Sequence, residues 1–287
     1  MIKRHFPLLP QLFTALCGLS LIASFNLQAE PLKRVVSAGA NITEIIIALD
    51  AEQQIIAVDS TSQLPSDLSL PVVGYHRQLS AEGLLALAPD AIIGSDEMGP
   101  DSSLNQLQQA GVQIHRLNSQ STVASLEQRI DALAKLLGHQ SQAMALQQKL
   151  SQQLNELEQY SQTAKPINSL FFISHDAKKL LTAGSDTTAN SIMELAGAVN
   201  LAKPHLNSYK PLSDEAILSM QPELLLFSQR SLDKLGGVSG VLSSFPVLAA
   251  TPAGKTKAIY AIDGHALIGG LGLASIDEAV RLSQRLQ

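Results

Sequence analysis

Apolar positions along the chain follow two rhythms. Short unbroken apolar runs, rich in Val and Ile, alternate with longer stretches in which apolar residues recur every three or four positions. The first pattern predicts strands buried on both faces, and the second predicts amphipathic helices. Strands are predicted at 34–37, 54–58, 91–94, 112–115, 169–173, 224–227 and 258–261. A first helix is predicted to run to Leu49, with Asn41 or Thr43 able to cap it. Others are predicted from Ser80 to near Pro89, over 104–111, over 121–137 with Gly138 as C-cap, and over 188–196. A run over 141–160, closed by Pro166, carries Leu146, Leu150, Leu154 and Leu157 on one stripe. As a helix it would span about 30 Å, the width of a small domain.

The chain also repeats itself. LSAEGLLALAPDAIIGS at 79–95 aligns without gaps on LSDEAILSMQPELLLFS at 212–228, and Ser37-Ala38-Gly39 echoes Thr182-Ala183-Gly184. Strands alternating with helices predict parallel sheets covered on both faces. With the repeat, the expected fold is α/β, with two Rossmann-like lobes of mainly parallel sheet joined by one long helix. A cleft between lobes is a favoured ligand site. The expected organisation is a leader at 1–29, a first lobe at 30–138, a connecting helix at 139–166 and a second lobe at 167–287. A rigid connector of that length would limit the lobes to a small rocking motion.

The leader is read from Lys3 and Arg4, the apolar stretch 8–25, and the small residue Ala29. That is the layout of a signal peptide cut after Ala29, and it implies export. The alternative, a membrane anchor, is opposed by Pro7, Pro10 and the short apolar core. The only cysteine, Cys17, lies inside this segment behind Leu16, which is not the small residue a lipidation site needs. The exported chain would lack cysteine and so depend on its core alone. After cleavage 18 Lys and Arg face 25 Asp and Glu, a net charge of −7, and no basic run exists. Nucleic acid is therefore an unsuitable partner. With 45% hydrophobic and 16% charged residues, the chain is globular.

Three blocks carry a family resemblance: RVVSAGANITEIIIAL at 34–49, VGYHRQLSAEGLLALAPD at 73–90, and FISHD at 172–176 followed by TAGSDTTA and ELAGAVN. Together they resemble the periplasmic solute-binding proteins built on a single connecting helix, which serve importers of haem, vitamin B12 and iron chelates. The G-Y-x-R-x-L-S-A-E-G block is most similar to the haem-binding members. The resemblance implies Tyr75 and His175 as iron ligands from opposite lobes, with Arg77 supporting the phenolate or a propionate and His76 as a secondary candidate. It implies ferric haem as the transported ligand, delivered by a monomer to an inner-membrane ABC permease dimer and its ATPase subunits. Glu82 and Glu215 are implied to dock on that permease.

The chemistry is coherent. Phenolate is a hard anionic oxygen suited to Fe(III), and tyrosine is a known haem ligand. A free phenol has a pKa of about 10, so metal binding must displace its proton, and a nearby guanidinium favours the anion. In an extended segment Tyr75 and Arg77 would share a face while His76 diverged.

Each residue also has a plainer reading. Tyr75 could be a rim tyrosine with its hydroxyl in water. His175 could be a buried, hydrogen-bonded histidine ending a strand. Glu82 and Glu215 sit where a carboxylate completes a capping box. Lys178, Lys179, His205, Tyr209 and His265 fall in loops, where solvation is the default. The chain has no tryptophan, and only four phenylalanines follow residue 29, so a porphyrin pocket would rest on Leu, Ile and Met.

Enzyme readings find little support. Ser174-His175-Asp176 are adjacent and cannot converge as a triad. There is no G-x-S-x-G elbow and no P-loop, and Gly270-Leu271-Gly272 is an isolated fragment. Six scattered histidines after residue 29 preload no zinc motif. A ferric siderophore, corrinoid or divalent-metal carrier of the same fold is the alternative.

Overall fold

The runs 35–38 and 91–95 are buried at every position, because alternate side chains serve two different cores. Val35, Ala91 and Ile93 face one, and Val36, Ala38 and Ile92 face the other. That is the two-faced burial expected of a parallel sheet. The computed structural model describes residues 1–2, 30–174 and 178–287. Most of the expected leader and the whole of His175 lie outside the described residues. Pro31–Gln287 forms one compact unit. Of the unit before it, Met1–Glu30, only Met1, Ile2 and Glu30 are described.

The first half runs β1 (Val35–Ala38), α1 (Ala40–Ala48), β2 (Ile55–Val58), α2 (Ala81–Leu85), β3 (Ala91–Ser95), α3 (Asp101–Gln109), β4 (Gln113–Leu117) and α4 (Val123–Leu137). Its sheet has the order β2-β1-β3-β4, all parallel. The connector α5 (Gln140–Thr163) follows. The second half runs β5 (Ile167–Ile173), β6 (Leu181–Thr182), α6 (Thr188–Leu195), β7 (Ala198–Asn200), α7 (Asp214–Met220) and β8 (Leu224–Ser228). It continues with α8 (Gln229–Lys234), α9 (Gly237–Ser244), α10 (Pro246–Ala249), α11 (Pro252–Thr256), β9 (Ile259–Ile262) and α12 (Leu273–Arg285). Its sheet is ordered β6-β5-β8-β9, with β7 also on β5 and only β6 antiparallel.

Thr122 caps α4, its hydroxyl accepting from the Ser125 N–H, and Gly138 ends it at φ 83 as predicted. The capping expectation for α1 fails. Gly39 is the N-cap, the Asn41 amide donates to the Gly269 carbonyl, and the Thr43 hydroxyl bonds Ser37 and Ser62, both at 2.7 Å. Both polar side chains are recruited across the fold.

α5 buries Ala143, Leu150 and Leu157 and packs on α4 of the first lobe and on α6 and α12 of the second. The lobes also meet directly. Glu44 of α1 accepts from the N–H groups of Leu273 and Ala274 at 2.7 and 3.1 Å, capping α12. Arg129 of α4, 1% exposed, donates to the carbonyls of Asn118 and Leu271. Gly269, Gly270 and Gly272 permit this approach: a Cβ on Gly270 would lie 2.1 Å from the Ser119 oxygen.

Candidate functional site

The loops at the carboxyl ends of β1 and β2 and the turn that precedes α2 converge on one side chain. Asp59, 1% exposed, follows β2 directly. Its Oδ1 accepts from the Gly39 N–H at 3.1 Å and the Ser62 hydroxyl at 2.7 Å. Its Oδ2 accepts from the Thr61 hydroxyl at 2.7 Å and faces His76 Nδ1 at 2.9 Å. Burial works against the charge, but the donors from His76, Ser62 and Thr61 outweigh it and hold the carboxyl below its usual range.

The segment carrying Tyr75 is laid along β2. The Val58 N–H donates to the Pro71 carbonyl and the Val73 N–H to the Val58 carbonyl, both at 2.9 Å, and the Ser60 N–H donates to the Gly74 carbonyl at 2.8 Å. Gly74 adopts φ 94, a left-handed conformation that glycine supplies at least cost. The chain then turns, the Gln78 N–H donating to the Tyr75 carbonyl at 2.8 Å. The turn corrects the extended geometry expected for this stretch. Tyr75 and His76 do not diverge: their ring centroids lie 4.5 Å apart, tilted by 58°.

Within this turn, Tyr75 is 40% exposed and His76 is 1% exposed. Burial pulls the His76 pKa down, yet Asp59 and Glu97 raise it to about 9, so the ring is an imidazolium at neutral pH. Its Nε2 lies 3.9 Å from Glu97, beyond hydrogen-bond reach, which leaves Asp59 as the stronger partner. His76 is thus a buried cation behind Tyr75. Arg77 is half-exposed and pairs with Glu97 at 2.5 Å. His76 and Arg77 together keep Glu97 ionised below the usual carboxylate range, against its partial burial.

Two cavities lie along the strand ends. One, of about 300 Å³, is shared between the lobes, lined by Ala40, Glu44, Ile47 and residues 63–65 together with His265 and Ala274. The other, of about 580 Å³, is lined by residues 228–230, Asp233, residues 263–265, Leu267 and Ile268. His265 belongs to both. Its Nδ1 is buried without a hydrogen-bond partner among the described residues. Both volumes fall in the range of small-molecule sites, at the carboxyl ends of parallel strands where α/β sheets bind ligands.

A family profile described as periplasmic binding protein matches residues 35–266. The chain belongs to the periplasmic binding protein family. Its fold is similar to that of the periplasmic haem-binding protein HutB of Vibrio cholerae, at 51% identity and a TM-score of 0.84, covering 88% of this chain and 98% of that one. A periplasmic haem-binding protein from Pseudomonas aeruginosa is 36% identical, with a TM-score of 0.81 and coverage of 89% and 92%. The vitamin B12-binding protein of Pectobacterium atrosepticum is 28% identical over 207 residues, 71% of this chain and 74% of that protein.

In this periplasmic binding protein the structure brings Tyr75, His76 and Arg77 into one turn on a shared carboxylate scaffold. Glu82 and Glu215 are exposed in the first turns of α2 and α7. The Glu215 carboxyl is held below its usual range by its own backbone N–H and the Ser213 hydroxyl. Tyr209, expected in a solvated loop, instead packs its ring 6.3 Å from Phe171, and burial pushes its phenol up to about 12. Asp59 and Glu97 escaped the reading of the sequence, and His265, expected to be solvated in a loop, lines both cavities with its Nδ1 buried. An acidic residue closing the apolar run 55–58 was the available signal for Asp59.

Proposed function

We propose that this protein binds ferric haem in the cleft between its lobes and delivers it to an ABC-type permease. Tyr75 is the iron ligand. The observation that carries the reading is a phenol left 40% exposed, its ring 4.5 Å from that of His76, which a buried Asp59 holds. The likeness to haem-binding proteins at 51% and 36% identity supports it. The His76 ring lies 4.5 Å from the Tyr75 ring, and Arg77 follows two residues on, paired with Glu97. His175 supplies a second axial ligand from the other lobe. His76, with Nδ1 held by Asp59, supports Tyr75 rather than reaching the metal.

The protein is a carrier without catalysis. It is exported to the periplasm after loss of residues 1–29, and it works as a monomer with lobes at 30–138 and 167–287 about the connector 139–166. Glu82 and Glu215 meet cations on the permease, one per lobe. Rim charges of this kind chiefly set orientation and association rate.

A corrinoid carrier is the second reading, favoured by the vitamin B12-binding relatives at 24–28% identity. An absorbance titration with hemin, with cyanocobalamin in parallel, separates the two. The expected result is a Soret band and a ferric high-spin charge-transfer band that Tyr75→Ala alters, with no response to cyanocobalamin. Unchanged bands in Tyr75→Ala would remove the phenol from the iron.

A further inference from the structure

Leu85 and Leu218 are two of the few large apolar side chains left in water, 39% and 36% exposed among the described residues. They occupy equivalent positions of the internal repeat, and the equivalence extends to the fold. Each helix starts at a serine whose hydroxyl accepts from the N–H three residues on, Ser80 from Gly83 at 3.5 Å and Ser213 from Ala216 at 3.2 Å. Each exposes a glutamate two residues after that cap, buries Leu84 or Ile217, and turns Leu85 or Leu218 outward. Each segment then passes through a left-handed residue, Ala88 at φ 46 or Gln221 at φ 47, before Pro89 or Pro222 and a central strand.

A lone exposed leucine carries no message, since much of any protein surface is apolar. The same leucine kept outward at both copies, three residues after the same outward carboxylate, points to one recognition unit used twice. On the first lobe Val72, 62% exposed, lines a cavity of about 280 Å³ together with Ser80, Gly83, Leu84 and Leu87.

We propose that Leu85 and Leu218 are paired apolar anchors for a two-fold symmetric membrane permease. Each leucine enters an apolar socket next to the cation that meets Glu82 or Glu215. The inference rests on the permease-docking role assigned above to the two glutamates. A partner that reads two equivalent patches on one chain must present the same site twice, as a homodimer does. A second copy of this chain fits less well, because it would set carboxylate against carboxylate.

Residues 30–287 contain no cysteine, so Leu85→Cys and Leu218→Cys each accept a single benzophenone maleimide. The labelled, hemin-loaded chains are photolysed with inner-membrane vesicles of the source bacterium, with Met144→Cys, exposed on α5 outside both repeat copies, as the control. Both leucine positions should cross-link to the same membrane polypeptide, and position 144 should not. In parallel, hemin-stimulated ATP hydrolysis by the vesicles is measured with Leu85→Ser/Leu218→Ser and with Glu82→Ala/Glu215→Ala. The serine pair should raise the half-maximal concentration at least tenfold while its hemin titration stays that of the parent. If the glutamate pair abolishes stimulation and the serine pair does not change it, the anchors are overturned and the docking surface stands. If neither pair changes stimulation, both fall. Cross-linking only to another copy of this chain would overturn the permease as partner.

Discussion

Asp59 and His76, 2.9 Å apart and each 1% exposed, form the buried pair on which the loop edge of the first lobe is hung. Through Asp59 the pair binds the β1–α1 turn at Gly39 and the post-β2 loop at Thr61 and Ser62; through His76 it binds the turn that presents Tyr75. The position of the proposed iron ligand is therefore set by groups that do not reach the ligand themselves.

Asp59→Leu leaves a buried imidazole, a backbone N–H and two hydroxyls without their acceptor. Breaking one side of a buried pair costs about 3–5 kcal/mol. The urea midpoint should fall accordingly at an unchanged slope, and hemin affinity should fall with it. A midpoint within error of the parent would show that the loops hold themselves.

Arg77→Ala should separate stability from binding. Its pair with Glu97 is at the surface, the two side chains 50% and 37% exposed, and exposed pairs contribute about 0–1 kcal/mol. Thermal unfolding should barely move. Hemin affinity should drop by about tenfold, ~1.4 kcal/mol, if the guanidinium stabilises the phenolate or a propionate. An unchanged hemin titration would confine Arg77 to Glu97.

The lobe junction should respond to pH through Glu44. Burial lifts this carboxyl from 4.5 to about 7, against the pull of the Ala274 and Leu273 N–H groups and the Arg129 charge, with Asp277 adding to the rise. A group that holds its proton more tightly when folded stabilises most below its ordinary pKa. Stability should thus decline as pH rises from about 4.5 through about 7, by roughly 3–4 kcal/mol from ~1.4 kcal/mol per unit. Glu44→Gln keeps an oxygen for the Leu273 N–H and should flatten the profile of unfolding free energy against pH. A profile of equal slope in the variant would place the titration elsewhere.

Gly270→Ala tests how closely the lobes pack. The residue sits at φ 90 and its added Cβ would lie 2.1 Å from a backbone oxygen, so no side-chain rotation relieves the clash. A loss above about 3 kcal/mol is expected from strain and a displaced junction. A thermal midpoint matching the parent would mean that the loops at 119 and 270 part freely.

The periodic apolar runs were sufficient for the alternating strands and helices, the parallel sheets and the long connector, because burial on two faces imposes a local pattern that one sequence window contains. The repeat likewise revealed α2 and α7 as equivalents, and the block around Tyr75 marked the loop of interest. The partners of polar side chains were not legible in this way. Asn41 and Thr43 look like helix caps, yet they serve Gly269, 228 residues away, and Ser37 and Ser62. Gly270-Leu271-Gly272 looks like a stray motif, yet its missing side chains let the second lobe close on Ser119 and Glu44. His76 reads as a candidate beside a tyrosine, and nothing in its own window shows that Asp59 holds its Nδ1. Local periodicity determined what folds into which element; the tertiary structure decided which buried polar groups satisfy one another, because that pairing is made across the chain and each such group must find a partner wherever the fold brings one.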